Sequence, residues 1–207
     1  MSALICFDFD LTLVHHHLFQ ETSRLISLGI KREQAIDQIA NRIPKEIVSP
    51  TSFWPVVKAL FEAGHRMSIT SFTAYPELCR VLLNEGIRPL RTLSIDSHSL
   101  QQFNRTPVIF GGPAPSLAPN TSPRLCISVQ SKMWHQGFGK ALHIDAAIQY
   151  YQSMNHSFDD IYLLDDNPIN VALAAQNGIK TIQVDLAHSA TAHLSKLAKQ
   201  LELRWPH

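Results

Sequence analysis

The sequence predicts an α/β fold with a doubly wound parallel sheet, and three observations predict it. Short apolar runs alternate along the 207 residues with stretches of helical periodicity, and no segment repeats. Two of the runs, Leu4-Ile5-Cys6-Phe7 and Ile161-Tyr162-Leu163-Leu164, are contiguous, as strands buried on both faces are. Both end in paired acids, and the carboxyl ends of strands are where open α/β sheets gather ligands.

Each element has a local reason. The chain enters the Leu4-Phe7 run at once. Residues 14–52 then hold two short helical patterns, separated near Gly29-Ile30 and stopped before Pro44, too little chain for a large lid. Ser52 can cap a helix over 53–63 that puts Phe53, Val56, Val57, Leu60 and Phe61 on one face and ends at Gly64. Arg66-Met67-Ser68-Ile69-Thr70 follows as a strand. The next helix opens at Tyr75-Pro76 and is expected to stop at Gly86, with Leu78, Val81 and Leu82 facing the core. Residues 105–124 carry Pro107, Pro113, Pro115, Pro119 and Pro123 with Gly111-Gly112, a composition that predicts an irregular loop. A helix over 141–151 follows Lys140. Then come the strand from Ile161, a helix over 168–177 with Pro168 first and Gly178 as its stop, a strand over 181–184 and a closing helix through Leu201. Phe53, Trp54, Tyr150 and Tyr151 fall on helical patterns and belong to core or rim, whereas Trp134 and Phe138 flank the approach to Lys140 and can line a substrate groove.

Composition narrows the function classes. With 45% hydrophobic residues the chain can bury a full core, and no apolar run reaches membrane length, so a soluble protein is expected. A net charge of +1 gives no basic field of the kind that attracts nucleic acid. Three cysteines, with Cys6 inside a strand and Cys79 in a helical pattern, suit a reducing compartment. The chain shows neither a basic leader nor a cleavage site, so no cleavable secretory signal is expected.

The chemistry begins at Asp8-Phe9-Asp10-Leu11-Thr12. A carboxylate after a buried strand can attack phosphorus, and an acid two residues on can protonate the leaving oxygen and later take a proton from water. Acids at strand ends also cap turns, so Asp8 and Asp10 alone do not decide. Other phosphoryl-transfer designs fail on the letters. A cysteine phosphatase needs arginine six positions after its cysteine, where Cys6, Cys79 and Cys126 meet Thr12, Glu85 and Lys132. A P-loop needs a glycine-rich cradle ending in Lys-Ser/Thr, and Gly137-Phe138-Gly139-Lys140-Ala141 lacks its first half and its hydroxyl. Three consecutive side chains, His15-His16-His17, do not converge easily on one ion; they suit a surface flap whose imidazoles can touch a substrate.

On these motifs the chain resembles the haloacid dehalogenase-like (HAD) superfamily of aspartate-nucleophile phosphatases, nearest its magnesium-dependent phosphatase branch. The first motif is the apolar strand with Asp8-x-Asp10-x-Thr12; the second is the strand ending at Thr70-Ser71-Phe72; the third is Gly139-Lys140; the fourth is Asp165-Asp166. The resemblance implies a Rossmann-like core and a nucleophile at Asp8 with Asp10 as acid and base. It implies that Lys140 neutralises the transferring phosphoryl group and that Thr12 and Phe72 belong to the substrate site. It also implies magnesium held by Asp8, Asp165 and the Asp10 carbonyl, with Asp166 near a metal-bound water or Lys140. Two positions stay open: Ser71, preferred, against Thr70 for the second-motif hydroxyl, and Lys140, preferred, against Lys132 for the lysine. Dehalogenase chemistry lacks the second acid that Asp10 supplies, and phosphomutases carry a larger lid than residues 14–52.

A small cap in this superfamily implies an open site suited to a phosphorylated protein or peptide, with tyrosine favoured by analogy with the branch. A small-metabolite phosphatase and a non-catalytic phosphoprotein-binding module are the alternatives. In overall texture the chain also resembles the phosphatase domain of a secreted effector from an intracellular bacterial pathogen. That likeness implies delivery into a host cell by a signal-independent route, with a targeting domain after Trp205-Pro206-His207.

Overall fold

The structure is a computed structural model that describes residues 2–73, 75–92, 108–110 and 140–203. Among the described residues five parallel strands, β1 (Ala3–Phe7), β2 (Arg66–Thr70), β3 (Val108–Phe110), β4 (Asp160–Asp165) and β5 (Lys180–Gln183), form one sheet in the order β3-β2-β1-β4-β5. This is the doubly wound order, and its reversal point lies between the central strands β1 and β4. Register places Phe7 beside both Ile69 and Leu164, and the Asp8 N–H continues the ladder to the Leu164 carbonyl at 2.8 Å. Asp8 therefore leaves the sheet alongside the acidic end of β4.

Strand β1 is buried throughout because it is covered twice. Ala3, Ile5 and Phe7 face a core shared with α4 (Pro50–Glu62), α5 (Pro76–Thr92) and α8 (Ala192–Gln200), while Leu4 and Cys6 face Ile144, Ala147 and Tyr151 of α6 (Ala141–Gln152) and Ala174 of α7 (Pro168–Gln176). The period of two sends alternate residues to opposite layers.

Three elements here differ from the sequence expectations, each for a physical reason. The 53–63 helix starts at Pro50, because Ser49 takes a left-handed turn (φ 44°) and proline at the first helical position loses no hydrogen bond; Ser52 lies inside the first turn. Helix α5 runs through Gly86 to Thr92. An interior glycine costs about 1 kcal/mol but ends a helix only where the chain needs a left-handed residue. Gly64 and Gly178 are such positions, at φ 83° and 76°, and both close Schellman motifs: His65 N–H to Leu60 O at 2.9 Å and Ile179 N–H to Ala174 O at 3.1 Å. Within 105–124, Val108–Phe110 pairs with β2, so that stretch is not wholly irregular; Pro107 can precede an edge strand without spoiling its ladder. The rest of that stretch, with Lys132, Trp134, Phe138 and the C-terminal Trp205-Pro206-His207, lies outside the described residues.

Residues 14–52 form a flap of three helices, α1 (Leu18–Ser27), α2 (Arg32–Ala40) and the four-residue α3 (Ile43–Glu46). The third was not expected, since Pro44 reads as a stop, but it sits in the first turn, where its missing N–H is no loss. A bridge between Val14 and Ile47 closes the base of the flap, and two contacts tie it back: an Arg32–Glu77 ion pair at 2.9 Å and the Tyr75 hydroxyl 3.0 Å from Ser23 Oγ. Among the described residues no helix is long and apolar enough to cross a membrane.

Candidate active site

Three strand ends deliver the polar side chains. Asp8 follows β1, Ser71 follows β2, and Asp165 closes β4, so the sheet brings them to the edge that the switch-point rule marks for ligands. Lys140 arrives from the opposite layer, at the N-terminal boundary of α6, with only 1% of its surface exposed. Its ammonium donates to Asp8 Oδ1 at 2.5 Å and to the Thr70 carbonyl, and lies 3.7 Å from Asp165 Oδ2. Burial would push this ammonium down, but Asp8 and then Asp165 outweigh it and hold its pKa above the usual lysine value. The Phe72 ring lies 4.6 Å beneath the same ammonium, and the buried His143 ring meets Phe72 edge-on at 4.6 Å.

Asp165 is fully buried and held by its own helix. Its carboxylate accepts from Asn167 N–H at 2.9 Å and from Asn170 Nδ2, 3.1 Å from each oxygen. Burial raises its pKa to about 7, against the opposing pull of Lys140, with Asp8 raising it further. Asp166 is half-buried and raised first by burial, then by Asp8. Carboxylate oxygens of Asp8, Asp165 and Asp166 lie within 4.8 Å of one another.

Asp10 belongs to both sheet and flap. Its two oxygens accept from the first N–H groups of α1, Leu18 at 3.0 Å and Phe19 at 3.3 Å, so it serves as that helix's missing N-cap. Burial, then the Asp8 charge, raises its pKa to about 7 even though the two N–H groups favour the ionised form.

These groups surround an open cleft of ≈ 210 Å³. Asp8, Asp10, Lys140 and Asp166 line it with Ser71, Phe72, Thr73, Asn167, Asn170 and the flap residues His17, Phe19 and Gln20. Ser71 is on the wall; the Thr70 hydroxyl instead points to the Phe7 carbonyl at 3.4 Å. Thr12 is fully buried and not among the cleft-lining residues, and among the described residues its hydroxyl has no hydrogen-bond partner. His15 and His16 are exposed, His16 paired to Glu46, and only His17 reaches the cleft. Sequence reasoning overlooked Asn170, although one amide inside the apolar Pro168–Gln176 helix was a visible signal. It also overlooked Phe19 and Gln20, for which no signal existed, because they arrive by the folding back of the flap.

No protein-family model matches the chain, and no curated protein matches it. Among solved structures it is similar to a phosphoserine phosphohydrolase-like protein from Francisella tularensis subsp. tularensis SCHU S4, at 16% identity over 95% of this chain and 93% of that one, with a TM-score of 0.44.

Proposed function

We propose that the protein is a magnesium-dependent phosphatase of the HAD type, acting through an aspartyl-phosphate on phosphorylated protein, tyrosine above all. One observation carries the reading: a cleft-floor carboxylate, Asp8, ion-paired to a buried lysine and crowded by two further carboxylates at the switch point of a parallel sheet. Such crowding raises carboxylate pKa values at a cost that structural packing alone does not require, and it concentrates at functional sites.

The donor set fits a hard divalent cation. Asp10, Asp165 and Asp166 all carry pKa values raised first by burial and then by charge at the site, and among the described residues Lys140 is the one ammonium beside them. Asp8, Asp165 and Asp166, with the Asp10 carbonyl, would hold magnesium, which when bound draws negative charge from the phosphoryl oxygens. The remaining roles belong to the chain. An Asp8 oxygen attacks phosphorus while the ester P–O bond breaks, and Asp10 gives its proton to the departing oxygen. Asp10 then takes a proton from a water whose oxygen attacks the same phosphorus; the bond to Asp8 breaks, inorganic phosphate leaves, Asp8 is restored as a carboxylate and Asp10 as the protonated acid. A pKa about 7 suits a group that must give and then take a proton near neutrality. Lys140 steadies Asp8 and the phosphoryl charge, and the Ser71 hydroxyl donates to a phosphoryl oxygen. The open cleft and the tied-back flap favour an ester presented on a larger molecule.

Turnover of an aryl phosphate with magnesium, with chelator and in Asp8→Asn tests the reading. Loss of at least about 10³-fold is expected in the variant, as for removal of a nucleophile in a concerted site, with the fold retained. Full activity in Asp8→Asn, or in excess chelator, would refute it.

A further inference from the structure

We propose that Phe19, on the first turn of the flap, selects for an aromatic leaving group by packing against its ring; this rests on the phosphatase reading and names the substrate feature that the site discriminates. Asp10 fixes where the leaving oxygen sits, because it delivers the proton. Its carboxylate is anchored on the backbone N–H of Phe19 at 3.3 Å, so the side chain next to the ester oxygen is the one that this residue carries. Phe19 lines the cleft and is partly exposed there.

Its ring is also preset. It leans on Tyr75 at 5.7 Å and 36°, and Tyr75 is held by its hydroxyl at Ser23 and by the Arg32 guanidinium, 5.6 Å from its ring centre. A ring fixed before binding loses little entropy on meeting another ring, and such aromatic pairs favour offset or tilted contact. Phe72, the other phenyl ring on the wall among the described residues, already meets the Lys140 ammonium and the His143 ring. An aryl ester places its ring directly on the leaving oxygen, within reach of Phe19; a seryl ester offers only a methylene at the same point.

The test compares Phe19→Ala, Phe19→Leu and Phe19→Tyr, each checked by thermal unfolding, on phosphotyrosine and phosphoserine forms of one peptide. For Phe19→Ala, kcat/KM on phosphotyrosine should fall about tenfold more than on phosphoserine, the scale of one aromatic contact with its buried area. Phe19→Tyr should restore the difference. Phe19→Leu keeps apolar bulk against Tyr75 and should still lose most of it. Equal losses on both peptides would mean that Phe19 only supports the flap, and would overturn the proposal. Calorimetric binding of phenyl phosphate and O-phosphoserine to Asp8→Asn, with and without Phe19→Ala, separates this inference from the catalytic one. Aryl affinity that depends on Phe19 supports the subsite even if the wild type hydrolyses nothing, and aryl affinity indifferent to Phe19 overturns it even if hydrolysis is brisk.

Discussion

Lys140 is the ion-pair partner of Asp8 at the cleft, 2.5 Å from its Oδ1. Burying an ammonium costs several kcal/mol, and the pair offsets that only if each remaining proton and lone pair finds a partner. Here Asp8, the Thr70 carbonyl and the more distant Asp165 receive the ammonium, so the lysine is fully engaged, while the carboxylates outnumber it. That imbalance leaves a standing demand for positive charge, whether from a metal or from the electron-poor phosphorus of a substrate. The hydroxyl of the second motif is the other decision at this scale. Ser71 and Thr70 were equally available as letters, since adjacent strand residues differ only in the face they address. The chain turns after β2, leaving Ser71 on the cleft wall and the Thr70 hydroxyl against the Phe7 carbonyl. Ser71→Ala should therefore lower kcat/KM by about 10²-fold, the usual loss on removing one donor to developing charge. Thr70→Ala should act mainly on stability, by about 1 kcal/mol for one buried hydrogen bond. Parallel kinetics and urea unfolding of the two variants check this, and the reverse pattern would place the motif one residue earlier.

Among the elements, α7 does more than cover the sheet. It begins where β4 ends, with Asn167 capping Ile169 N–H at 2.9 Å through its side chain and supplying its own N–H to Asp165, and one turn later Asn170 grips both Asp165 oxygens. The helix start thus sets the orientation of the buried Asp165 carboxylate beside Asp8 and Asp166. Partners that orient a ligand typically govern metal affinity by about 10- to 100-fold. Asn170→Ala should raise the magnesium concentration for half-maximal effect by about tenfold with little change in maximal rate at saturation; titration of thermal stability with magnesium gives the same constant without turnover. An unchanged magnesium requirement would reduce Asn170 to a packing residue. The elements also show what could be read from sequence. β1 and β4 were legible because doubly covered strands must be contiguous and apolar, and Asp8 and Asp165 stand at their ends. Helix α3, the start of α4 and strand β3 were not, because proline marks a stop and a start with the same letter, and a three-residue edge strand exists only through its partner. Gly86 misled for the opposite reason: glycine signals a stop only when backbone handedness requires it. His17 was read only as one of three flap imidazoles able to touch a substrate, and Phe19 not at all, since what brings them to the cleft is the tertiary placement of the flap.

For the molecule as a whole, two sets of buried groups pull stability in opposite directions with pH. Asp10 and Asp165 have folded pKa values about 7, above the ordinary 3.8, so the fold binds their protons more tightly than the unfolded chain does. Their contribution is greatest at low pH and is lost as pH rises through 7. Buried His193, pushed down to about 4 by burial, and His143, pushed well below its usual value by burial and by Lys140, behave in the reverse sense. The unfolded chain takes up their protons near pH 6.5 while the fold does not, so stability is lost as pH falls below that value. For His193 the loss approaches about 3 kcal/mol by pH 4, since each pH unit between 6.5 and 4 removes about 1.4 kcal/mol. The two losses run over overlapping windows, 3.8 up to 7 for the carboxylates and 6.5 down to about 4 for His193, so in chelator they largely offset each other below pH 6.5 and stability should not rise further above it. On the proposed reading magnesium competes with protons for the crowded carboxylates of the fold, and it should raise Tm more at pH 8 than at pH 6. Thermal unfolding from pH 4.5 to 8.5, in chelator and in millimolar magnesium, checks both sets. Asp165→Asn should remove one of the losses that accompany rising pH up to 7 and blunt the magnesium response, while His193→Gln should remove the opposing loss that accompanies falling pH. A chelated protein whose stability climbs steadily to pH 8.5, or a magnesium shift indifferent to pH, would show that the four carboxylates do not form the strained, cation-seeking cluster that the phosphatase reading requires.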